Sequence, residues 1–222
     1  MLFRLRDNLH WCNCDGRAVF LDTRADRYFC LPQEANGAFL RMAALSMQSG
    51  DVERLQLLVK RGMLIEAGPQ ASIESAALIE PPTHDFLEEP IQGAEPVSIL
   101  RAFASELRAG WALRTRPFHQ VVEAVRNGRP RNKGIQGNSD RSIQEILSAA
   151  TAVSFITRSH DRCLVRALAV HSACRSTGLK PKLVFGVIAH PFTAHCWVQL
   201  GGAVLVGGYE QARLYTPILV LE

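Results

Sequence analysis

Two residues carry types and settings suited to acyl-transfer chemistry. The run Asp161-Arg162-Cys163-Leu164-Val165-Arg166-Ala167-Leu168-Ala169-Val170-His171 has helical periodicity and stops near Gly178. Ser159 and Asp161 are good cap residues, so the pattern predicts Cys163 in the first turn of a helix. Unpaired backbone N–H groups and the positive end of the helix dipole favour an anion there, which lowers a thiol pKa. His195 lies near the start of Ala194-His195-Cys196-Trp197-Val198-Gln199-Leu200, which alternates as a strand does. A thiol and an imidazole within hydrogen-bond reach would form a nucleophile and its base, the ring taking the sulfur proton and later returning it to a leaving amine.

Each residue also has a structural reading. A cysteine in an apolar helix is more often a small buried hydrophobe than a nucleophile, and His195 beside Trp197 could be a satisfied core histidine. His171 and Cys174, deeper in the helix, read as core. Strand alternation turns Cys196 to the face opposite His195, where it reads as packing.

The elements that must position this pair follow from local pattern. Lys182 to Ile188 reads as a buried strand, Ala194 to Leu200 as a second, and Gly201-Gly202 as a two-residue hairpin returning through Ala203-Val204-Leu205-Val206. Upstream, residues 97–128 and Asp140 to about Thr151 are helical, separated by a basic, Gly-rich loop. At the N-terminus, Leu9 to Leu31 reads as a three-stranded meander turning at Cys14-Asp15-Gly16-Arg17 and stopped by Pro32. Two helices follow, Gln33 to Met47 and Asp51 to Met63, with Asp51 as N-cap of the second. The expected division is a small domain over residues 1–66, a Pro-interrupted linker over 67–96 and a larger domain over 97–222.

The 222 residues are 47% hydrophobic and 21% charged, which fits folded globular domains. A formal charge of +4 with scattered arginines gives no expectation of nucleic-acid binding. No apolar run is long enough to span a membrane. Met1-Leu2-Phe3-Arg4-Leu5-Arg6-Asp7 lacks the pattern of a signal peptide, so a cytoplasmic location is expected. There the six cysteines would stay reduced. Cys12 and Cys14 lack zinc-ligand spacing and no His pair follows them, so they read as one face of a strand, with no metal expected. No Walker-type phosphate loop occurs and no cofactor is expected.

A helix with an N-terminal cysteine, followed by strands with a histidine near a strand start, is the arrangement of papain-like and transglutaminase-like hydrolases. The ordered series Arg162-Cys163-Leu164, Arg166-Ala167-Leu168-Ala169, Gly178-Leu179, Leu183-Val184-Phe185-Gly186-Val187 and Pro191-Phe192-Thr193-Ala194-His195-Cys196-Trp197-Val198 resembles the leader peptidase (B protein) of lasso-peptide biosynthesis. The resemblance implies an α+β chain: a small winged-helix-like leader-recognition domain of the pyrroloquinoline-quinone carrier (PqqD) type, followed by a transglutaminase-like, papain-like cysteine protease domain. Residues 1 to about 66, ending in Arg61-Gly62-Met63-Leu64, look like the former. The family's catalytic Cys and His fall on Cys163 and His195. Its function would be cleavage of the leader–core bond of a ribosomal precursor peptide. The partners implied are that precursor and a separate ATP-dependent, asparagine-synthetase-like cyclase.

One departure stands out. The family's triad Asp falls on Gly207, which has no side chain to orient an imidazole. Glu210 is the first candidate third member, Gln199 or Asp161 the next; a backbone carbonyl or a water could hold the ring instead, or the site could be impaired. Leader capture in such domains adds a peptide strand to a sheet edge. Tyr28, Phe29, Cys30 and Leu31 form the candidate edge strand, with Leu55, Leu58 and Val59 lining the groove. Other readings are a non-catalytic module presenting the precursor to the cyclase, and another transglutaminase-like acyl-transfer enzyme.

Overall fold

The Asp15-Gly16 turn shows how local chemistry sets the first hairpin. Asp15 and Gly16 both have positive φ (51° and 80°), as a tight two-residue turn with right-handed strand twist requires. The Gly16 N–H also donates to Asn13 Oδ1 at 3.0 Å. The computed structural model describes residues 2–68, 73, 75, 79–87, 93–128, 139–157 and 163–222. These form two units: Met1–Leu78 with Val187–Thr193 and Thr216–Leu219, and Ile79–Gly186 with Ala194–Tyr215 and Val220–Glu222.

In the first unit, β1 (Leu2–Leu5) precedes the meander β2 (Leu9–Cys14), β3 (Arg17–Asp22) and β4 (Arg27–Cys30). Helices α1 (Gln33–Ala43) and α2 (Asp51–Lys60) follow, then β5 (Leu64–Ala67), which pairs antiparallel with β1. The β1–β5 ribbon carried too few residues for alternation to reveal it. Its core is aromatic: Phe39 meets Trp11 and Phe20 edge-on, each at 4.9 Å between ring centroids, and Phe29 stacks on Phe20 at 5.1 Å. Asp51 was expected to cap α2, but Gly50 occupies that position and Asp51 is the first helical residue. Its buried carboxylate instead receives Arg41 from α1 at 2.9 and 2.5 Å, and this bond holds its pKa well below the carboxylate range.

The second unit begins inside the Pro-interrupted stretch, at Ile79. The expected linker contains β6 (His84–Asp85), paired parallel with β9 (Ala203–Val206) at the edge of a sheet ordered β10-β7-β8-β9-β6. A two-residue strand among prolines offers no alternation to detect. Helices α3 (Pro96–Thr115), α4 (Phe118–Asn127), α5 (Ser139–Thr157) and α6 (Cys163–Ser176) follow. Pro96 starts α3 and Pro117 stops it, forcing Arg116 to extended φ −122°, ψ 142°. Beyond α6 lie β7 (Lys182–Ile188), β8 (Thr193–Leu200), β9, the short α7 (Tyr209–Ala212) and β10 (Thr216–Leu221).

Helix α6 packs against α3 and α5, and Ala167, Leu168, Ala169, Val170, His171 and Cys174 are all buried. A helix apolar on every side belongs inside its domain. Arg166 crosses to the buried Glu106 of α3 at 3.6 Å, pinning α6 one turn beyond Cys163. Among the described residues no helix is long and apolar enough to cross a membrane.

Candidate active site

Cys163 is the first residue of α6, and it is exposed. The predicted capping residues Ser159 and Asp161 lie outside the described residues. His195 stands near the start of β8. The two are close enough for His195 to stabilise the Cys163 thiolate electrostatically.

The thiol pKa of Cys163 is lowered from 9.0 to about 6. The main cause is a hydrogen bond from the Cys196 thiol; burial opposes it, and His195 and the backbone N–H groups of Leu164 and Cys196 add to it. The Leu164 amide is an unpaired N–H of the first helical turn, as the sequence pattern predicts. The same S–H···S hydrogen bond, with burial, drives the Cys196 pKa far up, so Cys196 stays protonated and donates. Cys196 therefore interacts with Cys163, beyond the packing role expected from alternation. Because the Cys196 peptide N–H also reaches Cys163, the helix start meets the strand at that peptide. By contrast, burial pushes Cys174 up to about 12, and burial and then Arg175 draw His171 down to about 4, so both are inert core groups as expected.

The ring of His195 is held by main chain. Its Nε2 lies 2.8 Å from the Gly207 carbonyl oxygen. A carbonyl only accepts, so Nε2 carries the proton and Nδ1 is left as the base. Gly207 occupies the position of the side chain missing from the expected triad, and its carbonyl takes over the orienting bond. Glu210 is elsewhere engaged: its carboxylate pairs with Arg213 at 2.8 Å on the surface. Gln199 is buried, accepting from Trp197 Nε1 at 3.0 Å and donating to the Glu80 and Gly201 carbonyls at 2.6 and 2.7 Å.

Trp197 explains why glycine stands at position 207. With φ +112°, Gly207 has a backbone that L side chains rarely adopt, and a Cβ there would lie 2.5 Å from Trp197 Cβ. On β7, a Cβ at Gly186 would lie 2.7 Å from the indole and 2.8 Å from Tyr215 Cβ. Trp197 is fully buried between these glycines, and His195 packs at 5.2 Å between ring centroids from Tyr215. Asp85 of β6 accepts from the Tyr209 N–H at 2.8 Å, tying down the start of α7 directly after Gly207-Gly208. Sequence reasoning missed Asp85, Cys196 and Tyr215. Only the Gly207-Gly208 pair carried a signal, a strand end demanding positive φ.

A low-pKa thiol at a helix start, an adjacent thiol donor and an imidazole oriented by a backbone carbonyl are the parts of cysteine-based acyl transfer. Residues 103–220, more than half of the chain, match the model of the transglutaminase-like superfamily. The chain belongs to the transglutaminase-like superfamily. Its transglutaminase-like domain is compatible with cysteine protease or acyl-transfer activity. No curated protein and no solved structure matches the chain. Among the described residues, no three His, Cys, Asp or Glu side chains converge as a metal site requires.

The expected leader-binding residues lie in the first unit. Tyr28, Phe29 and Cys30 are on β4, an edge of the sheet β2-β3-β4. Leu31 is buried, and so are Leu55 and Leu58, at 0% and 4% exposure, inside the aromatic core. These two leucines therefore hold the fold rather than line a groove, because the i, i+3 stripe of α2 faces inward. Val59 is partly buried, and the exposed apolar residues of α2 are Val52 and Leu57.

Proposed function

We propose that this transglutaminase-like protein is a leader peptidase: it binds the leader of a ribosomal precursor peptide and cleaves the leader–core bond during lasso-peptide maturation. The observation that carries the reading is the activated Cys163 beside a His195 whose Nε2 is bonded to the Gly207 carbonyl. Cys163 attacks the scissile carbonyl, His195 Nδ1 accepts the thiol proton and returns it to the departing core amine, and water hydrolyses the leader acyl-enzyme.

The first unit supplies the leader site in this reading. An extended leader adds to the β4 edge, where main-chain bonds give affinity and side chains near Tyr28 and Cys30 give selectivity. Covalent linkage of the two units raises the effective concentration of the scissile bond. The freed core passes to an ATP-dependent, asparagine-synthetase-like cyclase. Reaction in a reducing cytoplasm would keep the Cys163 thiol available.

Incubation with a precursor peptide followed by mass spectrometry tests this. Cleavage at one boundary, lost in Cys163→Ala while leader affinity persists, is the expected result. The superfamily match also favours a second reading, in which an amine in place of water takes the acyl group from Cys163 and releases the thiol; a mass corresponding to an amine adduct of the leader would select it. Maturation that survives Cys163→Ala would leave only a presenting role.

A further inference from the structure

Helix α3 is patterned the wrong way round for a helix serving only its own domain. The side directed at α5 and α6 carries small or polar residues: Ala102, Ser105 and the buried Glu106. Large apolar side chains point outward instead, with Leu100 67%, Leu107 55% and Trp111 63% exposed, and Val97 and Phe103 exposed beside them. Surface helices ordinarily do the reverse.

The outward residues are also spaced. Val97, Leu100, Ala104, Leu107 and Trp111 recur at alternating intervals of three and four, the seam by which one α-helix packs along another. The seam runs about 21 Å at 1.5 Å per residue. Arg101 and Arg108 occupy equivalent places along one flank of the seam, where they also border the cleft that α3 shares with α5 and α6, and Arg114 follows at the far end; all three are exposed and, among the described residues, form no ion pair. No exposed acid lies on the helix to balance them.

We propose that α3 docks an amphipathic α-helix of another protein, one with its own three-four apolar seam and acidic residues facing Arg101 and Arg108. A narrow heptad seam fits a helix better than a lipid surface, which favours a broader apolar face. A second copy of this chain is disfavoured by charge: antiparallel pairing would set Arg101 and Arg108 against their own counterparts. The inference stands independently of leader cleavage.

Trp111 provides the readout, since Trp11 and Trp197, the other two tryptophans, are 5% and 0% exposed. The full chain is titrated with a tryptophan-free synthetic peptide of about three heptads, with Leu at the seam and Glu beside it, and with the same peptide carrying Lys for Glu. The Glu peptide should shift Trp111 emission to the blue and bind roughly tenfold tighter or better than the Lys peptide. Arg101→Glu with Arg108→Glu should reverse that order, and Leu107→Lys should abolish binding without altering the far-ultraviolet spectrum. Equal affinity for both peptides, or no binding of either, overturns the proposal. So does a blue shift produced only by anionic phosphatidylglycerol vesicles, or one that rises with protein concentration alone and tracks dimerisation in sedimentation.

Discussion

His195 Nε2 donates to the main-chain carbonyl of Gly207 at 2.8 Å, where the resemblance leads one to expect a carboxylate. A carbonyl fixes the tautomer as a carboxylate does, but it brings no full negative charge to stabilise an imidazolium. The burden of making the thiolate therefore falls on the groups around Cys163.

Restoring an acidic residue should not improve this site. Gly207→Asp and Gly207→Ala both place a Cβ 2.5 Å from Trp197 Cβ on a backbone with φ +112°. The combined cost is on the order of 2–4 kcal/mol, a fall in melting temperature of roughly 5–15 °C for a chain of this size. Thermal denaturation checks it. A Gly207→Asp protein as stable as the parent would show that the turn relaxes freely.

The reactivity of Cys163 should depend on pH in a defined window. Its pKa is lowered from 9.0 to about 6, so the folded protein holds the thiolate between those values. The rate of iodoacetamide labelling at Cys163 should rise as pH increases through about 6 and level off above 7. A midpoint near 9 would mean that the surrounding donors do not act on the sulfur.

Cys196 is the largest of those donors. Cys196→Val keeps an apolar filling but removes the S–H bond, so the labelling midpoint should move upward. Cys196→Ser, which retains a donor, should move it less. Identical midpoints in all three proteins would return Cys196 to a packing role.

Asp85 anchors the turn that presents the Gly207 carbonyl, through its bond from the Tyr209 N–H at 2.8 Å. Asp85→Ala should cost about 1–2 kcal/mol in urea unfolding, while Asp85→Asn, still an acceptor, should cost less. Equal losses in both variants would show that the bond contributes little.

Much of this was legible locally. Cys163 at a helix start, His195 near a strand start and the Asp15-Gly16 turn all follow from periodicity and from residues with restricted or permissive backbones. The apolar period of α2 was equally clear, yet it could not tell whether Leu55 and Leu58 face a groove or a core; the aromatic cluster that receives them comes from other elements.

The amino-acid sequence alone thus pointed to Cys163 and His195 as candidate nucleophile and base and determined the kinds of element carrying them, since these depend on neighbours a few residues apart. Folding decided what surrounds them. Cys196 reaches Cys163 because a helix start meets a strand peptide, and Gly207 turns its carbonyl to His195 because Trp197 leaves no room for a side chain. The outward seam of α3 is likewise evident only once α5 and α6 occupy its other side. Contacts between distant segments depend on register and approach, which no local spacing encodes.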